Sequence, residues 1–254
     1  MTVHAGTIGW SYNFWKGPFY PAKLPNTKLL SFYATQFNTV EVDNTFYRIP
    51  NPQTMLNWKQ QTPDNFIFSL KFPNLITHVK MLKDCQRETA IFLERAQLLD
   101  KKLGPMLLQF PPSFGEAHFS DLAVFLSGLP RGLRFVVEVR NKSLMNERLF
   151  EVLKGNNIAL AWVDSPIMPS SLELTSDFVY LRLEGDRSKV QGVLGTVEVD
   201  RQADVKVWAE KLAVFKARGV EVFGYFGKFY SGFPPLDVRR FLEDMGVGYQ
   251  KTLL

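Results

Sequence analysis

Thr39-Val40-Glu41-Val42-Asp43 is the stretch that decides the fold. Residues two apart on a strand share a face, so Val40 and Val42 turn one way while Glu41 and Asp43 turn the other. The alternation returns at Val137-Glu138-Val139-Arg140 and at Tyr180-Leu181-Arg182-Leu183-Glu184. Branched apolar side chains on one face suit packing beneath helices. Ions on the opposite face then point into the interior of a barrel.

Working outward, further short runs rich in branched or aromatic residues fit strands. They lie near Thr7–Trp10, Phe66–Lys71, Met106–Gln109, Phe135–Arg140, Ala159–Val163, Phe178–Glu184 and Val222–Phe226. Helical spacing fills most intervals: Leu29, Leu30, Tyr33 and Phe37 share a face, as do Ile91, Phe92, Arg95, Leu98 and Leu99. Leu149 to Leu153, Val207 to Phe215 and Val238 to Met245 continue the pattern, and Thr54–Gln61 and Asp121–Leu126 give shorter helices. The interval from Asp164 to Thr175 lacks one, since Pro166 and Pro169 oppose regular helix there. Eight alternations predict an α/β fold, a (β/α)8 TIM-like barrel, with 1–254 as a single domain. A doubly wound open sheet is the alternative, but its Gly-rich first turn is missing: Gly9-Trp10-Ser11-Tyr12 is bulky.

The connections are lopsided. Helix-to-strand links are short and carry Asn38, Gly104, Gly155-Asn156-Asn157 and Gly219. Strand-to-helix links are long: 11–27, 44–52, 72–83, 110–119 and 185–203. Long loops kept by a compact fold are usually functional, and these all fall at the C-terminal ends of the strands, where barrel active sites lie.

The strand pattern predicts a ring of inward polar residues: Glu41, Asp43, Lys71, Gln109, Glu138, Arg140, Asp164, Arg182, Glu184 and Tyr225. Buried ion pairs seldom stabilise a fold more than apolar packing does, so the ring points to ligand binding or acid–base chemistry. A structural ion-pair network at the barrel top is the competing explanation. Glu41 and Asp43 are the candidate acid/base pair, with Lys71 and Glu138 as further catalytic candidates. Lys71 suits a developing anion or an imine. The ring has five acids against three bases, so a cationic or hydroxyl-rich ligand fits as well as an anion.

Other loop residues extend the candidate site. His78 lies in the third top loop. Gly185-Asp186-Arg187-Ser188-Lys189 and Gly227-Lys228-Phe229-Tyr230-Ser231-Gly232 follow the last two strands, where barrels often hold phosphate on glycine-rich backbone amides. The first loop gathers Trp10, Tyr12, Phe14, Trp15, Phe19 and Tyr20, which suit either stacking on sugars and bases or a mini-core over the barrel end.

Composition excludes other classes. Hydrophobic residues at 46% support a large core, and the net charge of +5 shows no basic block. A single cysteine, Cys85, rules out an intrachain disulfide. The three histidines have no metal-motif spacing, so no tightly bound metal and no cofactor are expected; a weakly held ion would be Mg or Mn. Neither a signal peptide nor a membrane-length apolar run is visible, which predicts a cytoplasmic protein.

Several blocks resemble the YecE-like family, a domain of unknown function (72). Gly9-Trp10-Ser11-Tyr12 with Phe19-Tyr20-Pro21 is similar to its opening, and 37–48, from Phe37 to Arg48, to its most distinctive block. Lys71-Phe72-Pro73, Gln109-Phe110-Pro111-Pro112 and Val137-Glu138-Val139-Arg140 follow in the expected order. The resemblance spans essentially the whole chain and implies a TIM barrel without supplying a reaction. Asn44 and Tyr47 of the distinctive block and Trp10 of the opening join the ligand-binding candidates, as does Lys228 of the loop after the last strand. Three motifs, after the fifth, seventh and eighth strands, depart from the family pattern. Asn141 and Leu144 replace a histidine and a tryptophan, Glu184 replaces a histidine, and Gly227-Lys228 replaces paired asparagines. That implies either a different substrate or lost catalysis.

The resulting expectation is an acid/base enzyme, of hydrolase or isomerase type, acting on a polar small molecule, phosphorylated ones included. The alternatives are a nucleic-acid-binding or processing protein and a non-catalytic ligand-binding protein.

Overall fold

The computed structural model describes residues 2–169 and 171–248. Eight strands form it: β1 (Val3–Thr7), β2 (Thr39–Val42), β3 (Ile67–Lys71), β4 (Leu103–Gln109), β5 (Phe135–Glu138), β6 (Ala159–Asp164), β7 (Phe178–Leu183) and β8 (Glu221–Phe226). All pairings are parallel, in the order β1-β8-β7-β6-β5-β4-β3-β2. Helices alternate with them: α1 (Leu29–Gln36), α2 (Asn44–Tyr47), α3 (Pro52–Gln60), α4 (Gln86–Gln97), α5 (Phe119–Ser127), α6 (Glu147–Gly155), α7 (Gln202–Ala217), α8 (Lys228–Ser231) and α9 (Pro234–Asp244). The TIM-like architecture expected from the alternation is therefore present. No helix among the described residues is long and apolar enough to cross a membrane.

The first strand is Val3–Thr7 rather than Thr7–Trp10. Its alternation is hidden in the sequence because the inward positions hold His4 and Gly6. The described part of the interval after β6 has no helix, in keeping with its prolines. Local caps follow ordinary chemistry: Asn51 accepts from the Thr54 amide at the start of α3 and Asn146 from the Leu149 amide at the start of α6.

The barrel closes between β1 and β2 largely through side chains. The Asn38 carboxamide accepts from Ala5 N at 3.2 Å and donates to Val3 O at 3.0 Å, standing in for a missing peptide group. The Tyr33 hydroxyl accepts from Thr7 N at 2.7 Å and donates to Thr39 O at 3.1 Å. Gly9 N donates to Glu41 O at 2.8 Å to finish the seam. Gly6 permits the close approach, because a Cβ there would stand 2.0 Å from Thr39 O.

Outward-facing Val40, Val42, Val137, Val139, Leu181 and Leu183 pack into the large layer between sheet and helices. Inside the barrel a smaller apolar layer holds Leu107, Val136, Ala161, Phe178, Tyr180, Phe223 and Tyr225. Fully burying each large member contributes about 1.5–3 kcal/mol. This inner layer is the floor on which the charged residues sit.

Candidate functional site

Above the floor, polar side chains hand over to ions. Thr39 and Tyr225 share a hydrogen bond of 2.8 Å, and the Tyr180 hydroxyl donates to Glu41 Oε2 at 2.7 Å. Arg182 from β7 then grips Glu41 from β2, its Nε and Nη2 each 2.9 Å from a separate oxygen. Its Nη1 makes short contacts with Glu138 and Glu184. Gln109 Nε2 and Arg140 Nε donate to Glu138 Oε1 at 2.9 and 2.8 Å. Arg140 Nη2 lies 2.7 Å from both oxygens of Glu184. The burial of Glu184 favours its neutral acid, yet Arg182, then Arg140 and Lys71, outweigh it and hold the carboxyl at about 2. Arg182 is raised well above its ordinary value by Glu138, Glu41 and Glu184 against the opposing effect of burial, so it stays charged.

Glu41, Glu138 and Arg182 are sealed, with at most 2% of each exposed. They form a buried platform, and the residues that meet solvent lie above it. Lys71 Nζ is 3.0 Å from Asp43 Oδ1 and 4.0 Å from the centre of the Phe46 ring. This corner is fixed by Thr45, whose hydroxyl lies 2.9 Å from Val42 O and 2.7 Å from Lys71 O, and accepts from Lys71 N. A π-helical turn over Leu75–Val79 brings His78 edge-on to Phe46, with its Nδ1 2.9 Å from the Thr77 hydroxyl. Burial, then Lys71 and Arg140, lower the pKa of His78, so the imidazole is neutral at neutral pH.

A cavity of about 580 Å³ opens above these groups at the C-terminal end of the barrel. Asp43, Tyr47, Lys71, His78, Gln109, Arg140, Arg182, Glu184 and Lys228 all border it. Its border also takes in Ile8, Tyr12, Phe46, Ile167, Asp186, Arg187 and Phe229. Of these, Ile8, Phe46 and Ile167 are apolar residues, at a strand end, in α2 and in a loop, that no charge pattern singles out.

Four candidates are placed elsewhere. Asp164 faces outward, accepting from Trp208 Nε1 on α7 at 2.9 Å, because Ala159, Ala161 and Val163 take the inward positions of β6. Tyr225 does point inward, but it lies in the sealed floor below Glu41. Trp10 is buried and packs edge-on against Trp58. Asn44 starts α2 and turns to a separate cavity. Most first-loop aromatics form the mini-core alternative: Trp15, Phe19 and Tyr20 are buried among one another, and only Tyr12 borders the mouth.

The expected backbone cradle for phosphate after β7 is not free. Glu184 N and Gly185 N donate to Asp164 O, Asp186 N to Phe229 O, and Ser188 N to the Asp186 carboxylate. Gly185 holds φ +73, and a Cβ there would meet Phe229 O at 2.1 Å, so the loop and α8 press directly together. What this wall presents to the mouth is side chains, Arg187 and Lys228. Of the positions that depart from the family pattern, Glu184, Gly227 and Lys228 border the cavity. Asn141 instead holds the Ser143 amide and Pro112 O, and Leu144 is buried.

The charge balance differs from the sequence expectation. With Glu41, Glu138 and Arg182 sealed and Asp164 turned away, the charges left at the border of the cavity are Lys71, Arg140, Arg187 and Lys228 against Asp43, Glu184 and Asp186, four bases to three acids. Among the described residues no three His, Cys, Asp or Glu side chains are grouped as ligands for a metal.

A family model described as "Protein of unknown function DUF72" matches residues 4–253. The UPF0759 protein YecE of Escherichia coli (strain K12) is 36% identical over 139 residues, which cover 55% of this chain and 48% of that protein. The UPF0759 protein YunF of Bacillus subtilis (strain 168) is 25% identical over 181 residues, covering 64% and 59%. The match thus spans about half the length of these curated relatives. Among solved structures, a DUF72 family protein from Thermotoga maritima MSB8 superposes with a TM-score of 0.81 at 25% identity, covering 97% of this chain and 100% of that one. One from Enterococcus faecalis V583 gives 0.77 at 19% identity, covering 98% and 97%, a likeness of fold.

Proposed function

Because this chain belongs to the DUF72 family, whose description carries no activity, we propose a function from its own site: the barrel mouth binds a small polar molecule bearing a phosphate or carboxylate group, with Lys71 and Asp43 as its acid/base pair. The observation that carries this reading is the border of the cavity, where bases outnumber acids above the sealed platform of Glu41, Glu138 and Arg182. Arg140, Arg187 and Lys228 would hold the anion through charge-assisted hydrogen bonds. The Lys71 ammonium, almost buried and flanked by Asp43, stands where a proton can pass between lysine, carboxylate and ligand. Glu41 is assigned a positioning role, since both its oxygens are held by Arg182 and Tyr180.

One observation favours binding without chemistry as the second reading. Glu41, Glu138 and Glu184 are all engaged by arginine, leaving Asp43 as the carboxylate best placed to act on a ligand. A thermal-shift panel of phosphate- and carboxylate-bearing metabolites tests the anion assignment. Stabilisation of the wild type and not of Lys71→Met is expected. Equal shifts in both, or shifts only with neutral sugars or amines, would remove it. Turnover of a stabilising compound separates the enzyme from the binder.

A further inference from the structure

Two residues of the distinctive 37–48 block, Asn44 and Arg48, take no part in the mouth. The short helix α2 divides two hollows. Phe46 and Tyr47 face the mouth, whereas Asn44 and Arg48 border a second cavity of about 500 Å³ beside α3 and α4. Its walls carry two basic residues, Arg48 and Arg95, and no acidic one. Arg48 is exposed and has no ion-pair partner among the described residues. Arg95 has only its chain neighbour Glu94, whose side chain is mostly in solvent. An exposed pair of that kind contributes at most about 1 kcal/mol and yields readily to a better anion.

The rest of the hollow suits an organic anion better than a bare one. Trp58, Ile49, Pro50 and Ile91 supply an apolar wall. Trp58 is held by a T-shaped contact with Trp10 at 5.5 Å and by the stacked ring of Phe68 at 6.1 Å. Pro50 and Pro52 fix two backbone φ angles along the rim, so little ordering is needed on binding. Two planar guanidiniums beside a tryptophan side chain match a carboxylate or phosphate attached to a ring.

We propose that this cavity is a second binding site, independent of the barrel mouth, which takes an aryl phosphate or aryl carboxylate with its anionic end on Arg48 and Arg95 and its ring against Trp58. The probes are phenyl phosphate, benzoate and inorganic phosphate, followed on the full chain through the indole NMR resonance of Trp58, identified by its loss in Trp58→Phe. Phenyl phosphate or benzoate is expected to shift that resonance, and the stronger of the two tells which anion the site prefers. Inorganic phosphate should bind more weakly than phenyl phosphate. Arg48→Gln with Arg95→Gln should weaken binding by about tenfold or more, the loss expected for charge-assisted hydrogen bonds. Lys71→Met should leave it unchanged. A resonance that moves with none of the probes, or equally with and without the two arginines, would overturn the site. A shift abolished by Lys71→Met would show that Trp58 merely reports the mouth, and would also overturn it.

Discussion

Arg182 and Glu41 meet at two points, 2.9 Å apart at each, with neither side chain open to water. The same guanidinium serves Glu138 and Glu184, so one cation on β7 contacts carboxylates from β2 and β5 and a third just past β7 itself, the last two shared with Arg140. Removing one member of a buried ionic set leaves uncompensated charge at a cost of about 3–5 kcal/mol. Arg182→Met should lower unfolding stability by that amount in urea titrations. A loss under about 1 kcal/mol would mean that other groups neutralise the platform.

How much of this was legible depends on alternation. At Val40-Glu41-Val42, Val137-Glu138-Val139 and Leu181-Arg182-Leu183 the two faces differ sharply, and each ion points inward as the pattern requires. In Ala159-Leu160-Ala161-Trp162-Val163 both faces are apolar. The sequence therefore does not say that Trp162 packs outward near Phe215, or that Asp164 turns outward with it. Tyr225 has the correct side and the wrong height, because depth in a barrel depends on strand stagger, which no single strand encodes. The charge that reaches solvent is hidden from the sequence for the same reason: Glu41 and Glu138 are one layer too deep to meet a ligand directly.

His78 should report the electrostatics of the mouth. Its neutral ring is favoured by burial and by the cations Lys71 and Arg140. An NMR titration should find it protonating below 6.5, the ordinary value. Lys71→Met removes a positive neighbour, so the midpoint should move up. No movement would place Lys71 and His78 in separate environments.

Asp237 predicts a pH dependence of stability. Burial pushes its carboxyl up to about 7, Ser231 donates to one oxygen, and the other has no partner among the described residues. Because the folded value lies above the unfolded 3.8, the folded state favours the proton. Its stabilising effect is complete below 3.8 and is lost as the pH rises through about 7. Asp237→Asn should flatten this part of the urea-midpoint profile. An unchanged slope would assign the dependence to other groups.

Gly6 should tolerate no side chain. A Cβ 2.0 Å from Thr39 O would part the β1–β2 seam, and overpacking of this kind costs about 1–3 kcal/mol or more. Gly155→Ala is the control, since nothing lies within 4 Å of a Cβ there and its φ is not positive. Thermal melts should show a clear loss for the first and none for the second. Equal stability would mean that the seam is loose.

Native mass spectrometry of freshly purified protein tests the mouth most directly, comparing wild type with a Lys71→Met, Arg140→Gln variant. The account predicts a wild-type adduct with the mass of a small phosphate- or carboxylate-bearing compound, absent from the variant. An adduct kept in full by the variant, or one that is cationic or uncharged, would contradict it.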